Sequence, residues 1–267
     1  MTLTEKFEQN IDQVNSDFQA IKSKLIECGV EVADGTKTAE LAEKVGEVYN
    51  SGRKAENEAF WDAYQQNGER TNYSMAFGGI GWTDESFTPK YNMRVTNNDM
   101  MFGHTAIKDL GTALRKTGVT LTLAQTSYGR MYQNGLLEKI GGIIYEFPIR
   151  GLSYTFYGCK NLVEIEDTIP LTDTGNCTSD RSFVDCFALE EIRFSGVIGQ
   201  NGFDFKDCTK LSKTSITSII NALSTTTSGL TVTLSKTAVD NAFEGGSGGG
   251  EFHDLIDSKE NWIISLI

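Results

Sequence analysis

At 267 residues, with 39% hydrophobic and 10% aromatic content, the chain can bury a sizeable core in one large domain or two modest ones. Thirty-six acidic against 24 basic side chains give a formal charge of −12 with no Lys/Arg-rich run to offset it, which argues against nucleic acid and anionic membrane surfaces as partners. The opening MTLTEKFEQNIDQ has neither the basic start nor the apolar run of an export signal, and nowhere do about 18 apolar residues follow one another, so no membrane insertion is expected.

Along residues 3–28, apolar side chains fall at Leu3, Phe7, Ile11, Val14, Phe18, Ile21, Leu25 and Cys28, in alternating steps of four and three from Phe7 onward. This 3.5-residue repeat draws a narrow seam on a polar rod about 37 Å long. Such a helix either lies on its own domain or forms a self-associating coiled coil. The narrowness of the seam favours the coiled coil, since a helix packed on a globule usually buries a wider stripe. Leu3 to Leu25 are therefore the candidate oligomerisation residues, with a trimer the first expectation. ECGVEVADGTKTAELAEKVGEVYNSG then reads as a helix stop at Gly29, a turn at ADGT, and a second helix capped by Thr38, with Leu41, Val45 and Val48 on its apolar edge.

Phe60, Trp61 and Tyr64 crowd one and a half helical turns before Gly68, and AFGGIGW follows. The aromatics suit either a carbohydrate platform or a plug sealing the next domain, and clustered aromatics are first of all core. GGIGWT lacks the third glycine of a dinucleotide loop, so no cofactor is expected.

Phe156, Cys159, Leu162 and Ile165 set up a frame with steps of three. It returns at Phe183, Cys186, Leu189, Ile192, and at Phe205, Cys208, Leu211, where Thr214 ends it. Upstream, Met131, Asn134, Leu137, Ile140 fit with one polar substitution, and Met101, His104, Ile107, Leu110 fit more loosely. The copies start 22 to 30 residues apart, within the range of repeat arrays, where one unit cannot bury its apolar edge alone and stacked units share an interior. In that setting the recurrent cysteine is a small hydrophobe whose weak donor can meet a backbone carbonyl. The five cysteines are odd in number and contain no C-x-x-C pair, and only two histidines, His104 and His253, accompany them, so no metal site is expected. Cys177, outside the frame, reads as a loop thiol. VTLTL, GIIYEF and IRFSGVI read as short strands, with Pro148 limiting the second.

Beyond the frame, Ser215 is placed as the cap of a helix reaching Leu223, LTVTL as a strand, Ser235 as the cap of a helix bearing Val239 and Phe243, EFHDLIDSKENW as a last helix, and WIISLI as a last strand. EGGSGGG at 244–250 is a flexible loop or an engineered replacement. The acidic runs at 164–167 and 190–191 read as solvated edges rather than a hydrolase pair. With no G-x-S-x-G, H-E-x-x-H or P-loop, no catalytic residue is assigned and the chain is expected not to be an enzyme.

Three stretches resemble known families. G-V-x-V-x-D-G-T followed by a short LAxxV helix is similar to tail-associated proteins of bacteriophages and prophages. AFWDAYQQNGERTNYSMAFGGIGWTDESFTPKY resembles leucine-rich-repeat proteins of phage tail modules in Firmicutes. The F-x-x-C-x-x-L-x-x-I frame resembles BspA-type leucine-rich repeats. The residues and the resemblance together give an α+β expectation: a helical coiled-coil attachment region at 1–50, an aromatic-rich cap at 51–95, an irregular leucine-rich-repeat solenoid at 96–214, and an αβ cap at 215–267. The resemblance implies a non-catalytic virion protein of the tail region, associating with itself and with other tail proteins and contacting a host-surface glycan or protein. Tyr128, Tyr132, Tyr145, Tyr154 and Tyr157 are the candidate binding residues. A structural collar without host contact and a glycan-degrading tail enzyme are the alternatives.

Overall fold

The computed structural model describes residues 19–24, 59–77, 82–125, 131–132, 134–172 and 179–267, and divides the chain into Met1–Ala63 and Tyr64–Ile267. In the first unit, residues 19–24 are helical and Ile21 of the seam is 45% exposed. The other seam residues, Leu3, Phe7, Ile11, Val14, Phe18 and Leu25, lie outside the described residues, as do Thr38 and the helix it was expected to cap.

The second unit mixes helices with short sheets. Its strands are β1 (Met93–Val95), β2 (Leu121–Leu123), β3 (Lys139–Ile140), β4 (Ile143–Tyr145), β5 (Glu164–Ile165), β6 (Ile169–Leu171), β7 (Phe194–Gly196), β8 (Asp204–Phe205), β9 (Leu230–Leu234) and β10 (Trp262–Leu266). Its helices are α1 (Leu110–Thr117), α2 (Lys213–Ala222), α3 (Lys236–Ala242) and α4 (Gly250–Asp257). The sheets run β1-β2-β4, β3-β5, β6-β7 and β10-β9-β8, and every pairing among the described residues is parallel. Each strand therefore pairs with one reached by a full crossover, never by a hairpin.

The three-residue step of the frame has a direct backbone cause. The N–H of Cys159 donates to the Phe156 carbonyl and that of Leu162 to the Cys159 carbonyl, both at 3.1 Å, and the same pairs recur from Phe183 to Leu189 and from Phe205 to Leu211. Turns closed every three residues put side chains at i and i+3 above one another, so a period of three draws one inward stripe. On that stripe Phe156, Cys159, Leu162 and Ile165 are all at most 2% exposed.

Between coils, the rings stack. Phe77, Phe102, Tyr132, Phe156, Phe183 and Phe205 follow one another with centroids 4.5 to 5.8 Å apart, and the Phe102–Tyr132 and Tyr132–Phe156 pairs lie within 3° of parallel. Such ring pairs contribute about 0.5–1.5 kcal/mol each beyond the area they bury. The column corrects the expected frame at two coils. Tyr132, not Met131, takes the ring position above Phe156, and Phe102 and Thr105 stand where Met101 and His104 were expected. His104 is exposed, at φ +59, whereas Thr105 is 3% exposed.

Helix α1 was not anticipated. Asp109 caps it by accepting from the Thr112 N–H at 2.8 Å, and Gly118 at φ +68 ends it. Helix α2 is capped three residues before the expected position: Ser212 accepts from the Ser215 N–H, which frees the Ser215 hydroxyl to accept from the Ile192 N–H at 3.0 Å and donate to the Glu190 carbonyl at 2.9 Å. Ser235 caps α3 as expected. The glycine run is structured: residues 246–248 form a 3-10 turn, and the Ser247 N–H donates to Asp240 at 2.8 Å. The segment before β10 clamps the end of α2. Lys259, 7% exposed, donates to the Leu223 and Asn221 carbonyls at 2.6 and 3.1 Å, and the Trp262 indole N–H donates to the Ser224 carbonyl at 2.8 Å. Burial lowers the Lys259 pKa, and the helix-end carbonyls are what hold its charge.

Gly196 marks where neighbouring strands come closest. A Cβ there would sit 2.0 Å from the Leu171 carbonyl oxygen, at φ +83, while one on Gly118 would meet nothing within 4 Å. Gly196→Ala is expected to cost about 3 kcal/mol or more from overpacking plus backbone strain, against about 1 kcal/mol for Gly118→Ala. Equilibrium urea unfolding of the two variants compares them directly, and equal losses would contradict the close approach of β6 and β7.

Candidate contact surface

Cys159, Cys186 and Cys208 are free, and each is wholly buried. Their Sγ atoms donate to the carbonyls of Tyr132, Phe156 and Phe183, at 2.9, 3.1 and 3.7 Å, across 27, 30 and 25 residues of chain. Those carbonyls belong to the ring residue of the preceding coil. One coil further up, the Asn134 amide also reaches the preceding coil but meets other groups, donating to the Thr105 hydroxyl at 3.0 Å and the Ile107 carbonyl at 3.1 Å. Burial pushes the Cys159 thiol up to about 12, and raises Cys186 and Cys208 as well. A thiol held neutral is neither a nucleophile nor a metal ligand. No group of three or more metal-ligating side chains occurs among the described residues.

The acidic runs are also engaged. Glu164 meets Lys139 at 3.0 Å, Glu166 meets Arg115 at 2.9 Å, and Asp167 accepts from the Ile143 N–H at 2.8 Å. Arg94 on β1 reaches across β2 to bind both oxygens of Glu146 at 2.8 Å. These pairs are partly or largely exposed, so each is worth under about 1 kcal/mol. They bind neighbouring coils together on the surface. A shallow groove of about 400 Å³ between β7 and α2 is lined by Ser195, Thr214, Thr217 and Asn221 over Phe194, with no charged group.

The outward side of the coils carries a more specific arrangement. Two residues before the ring position, the chain makes a tight turn in coil after coil. The Ala76 N–H bonds the Tyr73 carbonyl, Met101 bonds Asn98, Thr155 bonds Leu152, and Ser182 bonds Ser179, at 2.9, 3.0, 2.9 and 3.2 Å. The third residue of each turn has positive φ: Met75 at 52°, Met100 at 51°, Tyr154 at 57° and Arg181 at 54°. A turn with positive φ only at its third residue is type II, a position that selects glycine or asparagine. Bulky side chains there cost about 1 kcal/mol each or more. Neighbouring turns are joined: the Met75 N–H donates to the Asp99 carbonyl at 2.7 Å, and the Tyr154 N–H to the Asp180 carbonyl at 2.9 Å. Stacking at strand spacing spreads the column from Met75 to Arg181 over about 20 Å. Met75 is 64% exposed, Arg181 is exposed, and Met100 and Tyr154 are half-buried.

The candidate tyrosines part company here. Tyr154 and Tyr157 come together, centroids 5.7 Å apart, with the Arg181 guanidinium 5.9 Å from the Tyr154 ring. Tyr145 sits half-buried on β4, in register with Leu123. Tyr132 is 3% exposed and flat against Phe102 and Phe156, so it is a core ring rather than a contact residue. Tyr128 lies outside the described residues. Sequence reasoning missed Met75, Met100 and Arg181, since nothing in residue type marks a left-handed turn occupied by methionine or arginine. The signal available was position: each stands two residues before a ring of the column. No family model matches the chain, and no curated protein or solved structure matches it.

The raised thiols fix a pH response. In the folded state they stay neutral at pH values where the unfolded chain, with thiols near 8.5, has begun to ionise. Their contribution is therefore complete below about pH 8.5 and is lost as pH rises toward the folded values, at up to about 1.4 kcal/mol per pH unit per thiol. Urea unfolding between pH 8 and 11 is expected to show this decline, and Cys186→Ser, whose hydroxyl also donates, is expected to lessen its slope. Peptide-level mass analysis after alkylation at pH 8 should find Cys159, Cys186 and Cys208 unmodified in the native chain and modified once it is unfolded.

Proposed function

We propose that the chain is a non-catalytic contact protein of a bacteriophage or prophage tail, a repeat array whose interior is given over to stacking and whose outer turns meet a host or virion surface. The observation that carries this reading is the column of turns with Met75, Met100, Tyr154 and Arg181 in left-handed backbone. Glycine would stabilise each turn, so the side chains present there are retained for something other than the fold. Methionine, tyrosine and arginine are the residue types that concentrate at the centres of protein interfaces. The resemblance to phage tail-module proteins supplies the setting. Self-association through the seam from Leu3 to Leu25, with trimers the first expectation, would supply avidity, because several weak contacts held together bind far better than one. Ile21, exposed on its helical segment, is in keeping with a seam that awaits a partner copy. No cofactor or metal enters this reading.

Glycine substitution tests it. Met75→Gly, Tyr154→Gly and Arg181→Gly are expected to leave the unfolding midpoint unchanged or raised, because relief of strain offsets the added chain entropy. Binding of the fluorescently labelled protein to susceptible bacterial cells, with resistant cells as the control, is expected to fall at least about tenfold for the triple variant, the loss of two or more interface anchors. Loss of stability would assign these side chains to the fold, and unchanged binding would remove them from the contact.

A further inference from the structure

Strand β10 ends the C-terminal sheet, and among the described residues no strand lies beyond it. Its backbone geometry says which groups are left over. The Ile267 N–H donates to the Leu234 carbonyl at 3.1 Å, and the Ile267 carbonyl accepts from the Lys236 N–H at 2.8 Å. Backbone groups alternate sides along a strand, so Ile263 and Ser265 also turn theirs toward β9. The N–H and C=O groups of Ile264 and Leu266, and the Trp262 carbonyl, turn outward. The Trp262 N–H is already used by the Lys259 carbonyl, at 2.9 Å. Folded proteins usually blunt such an edge with a charge, a proline or a bulge. The segment WIISLI has no charge and no proline, its five pairs to β9 run without interruption, and it leaves Ile263 59% and Ile267 67% exposed.

This pattern of donors selects an occupant. We propose that the β10 edge pairs with the same edge of a second copy, antiparallel about a two-fold axis through Ile264. In that register Ile264 faces its own equivalent and the two exchange both of their hydrogen bonds. The Leu266 N–H then meets the carbonyl of Trp262 in the other copy, and the reverse bond forms by symmetry. The one donor already spent, the Trp262 N–H, falls in the outermost pair, where its loss costs least. Ile263 comes opposite Ser265 of the second copy at a non-hydrogen-bonded pair, where side chains approach most closely, and becomes covered. With no charge between Trp262 and Ile267, two identical strands oppose no like charges. The result is one sheet running through both copies. A strand from an unrelated protein would meet the same donors without this symmetry, and it would not pair in the purified chain alone.

Light scattering of the purified full chain over a range of concentrations tests the pairing. The seam is silenced by Ile11→Asp with Phe18→Asp, so that the N-terminal association and the β10 edge are read separately. In that background the mass is expected to rise twofold with concentration. Ile264→Pro removes only an outward N–H and is compatible with the β9 pairing, and Ile263→Lys places a charge on the pairing edge. Both are expected to hold the mass at that of one chain, and the second carries the comparison if the first fails to fold. In the associated chain the Leu266 amide should exchange with deuterium at least tenfold more slowly than in either edge variant, and the Ile264 amide at least tenfold more slowly than in Ile263→Lys. A mass independent of concentration, or unprotected amides at the highest concentration, would overturn the proposal. A parent chain whose mass does not respond to the seam substitutions would overturn the seam alone.

Discussion

Three ring residues of the column, Tyr132, Phe156 and Phe183, leave a carbonyl pointing into the next coil, and the next coil answers each with one compact donor. Cys159, Cys186 and Cys208 answer with thiols, and one coil earlier the Asn134 amide ties its coil to the one before through the Thr105 hydroxyl and the Ile107 carbonyl. The position admits few residues. A larger side chain would push the coils apart and break the ring contacts of 4.5 to 5.8 Å, and an alanine would remove the side-chain bond that ties one coil to the next. The parallel sheets then follow, because once ring and donor are in register the backbone on either side falls into register as well. Ladder, thiol and ring are one constraint seen from three sides, and a catalytic thiol could not be placed there without losing all three.

The end of the stack obeys the same requirement by other means. After Leu211 the frame stops, and helix α2 takes its place: the Ser215 hydroxyl accepts from Ile192, and the Ser218 hydroxyl accepts from Phe194 at 2.9 Å. A helix cannot offer backbone donors and acceptors sideways, so serines on its first turns stand in for the missing strand. The other end of α2 is closed by Lys259, Asn261 and Trp262, which donate to carbonyls the helix cannot satisfy itself.

Much of this was legible because an i→i+3 turn and an apolar step of three are the same fact in two languages. Phe156 to Ile165 and Phe183 to Ile192 could be read from spacing alone, and so could β9, β10 and the Ser235 cap. Spacing failed where the coil changed length. From Tyr132 to Asn134 the step is two residues rather than three, and a rule based on threes chose Met131. One coil earlier it chose Met101 and His104, although Phe102 and Thr105 carry the ring and the compact buried side chain. The strands of two residues, β3, β5 and β8, are too short for any alternation to show. Pro170 inside β6 hid that strand, because a proline argues against one unless its missing N–H is not needed there. For the contact surface, Tyr154 and Tyr157 could be chosen by type, whereas Met75, Met100 and Arg181 depend on a backbone angle that composition does not encode.

The shortened step from Tyr132 to Asn134 reaches further than its own coil. The Tyr132 ring still stacks on Phe102 and Phe156, and Asn134 still donates to the preceding coil, although the step between them is one residue short, so the ring contact does not depend on a fixed step to the buried donor. A protein built on that tolerance can lengthen, trim or exchange its outer segments without renegotiating its interior. Changes on the outer face are thereby uncoupled from the packing of the rings.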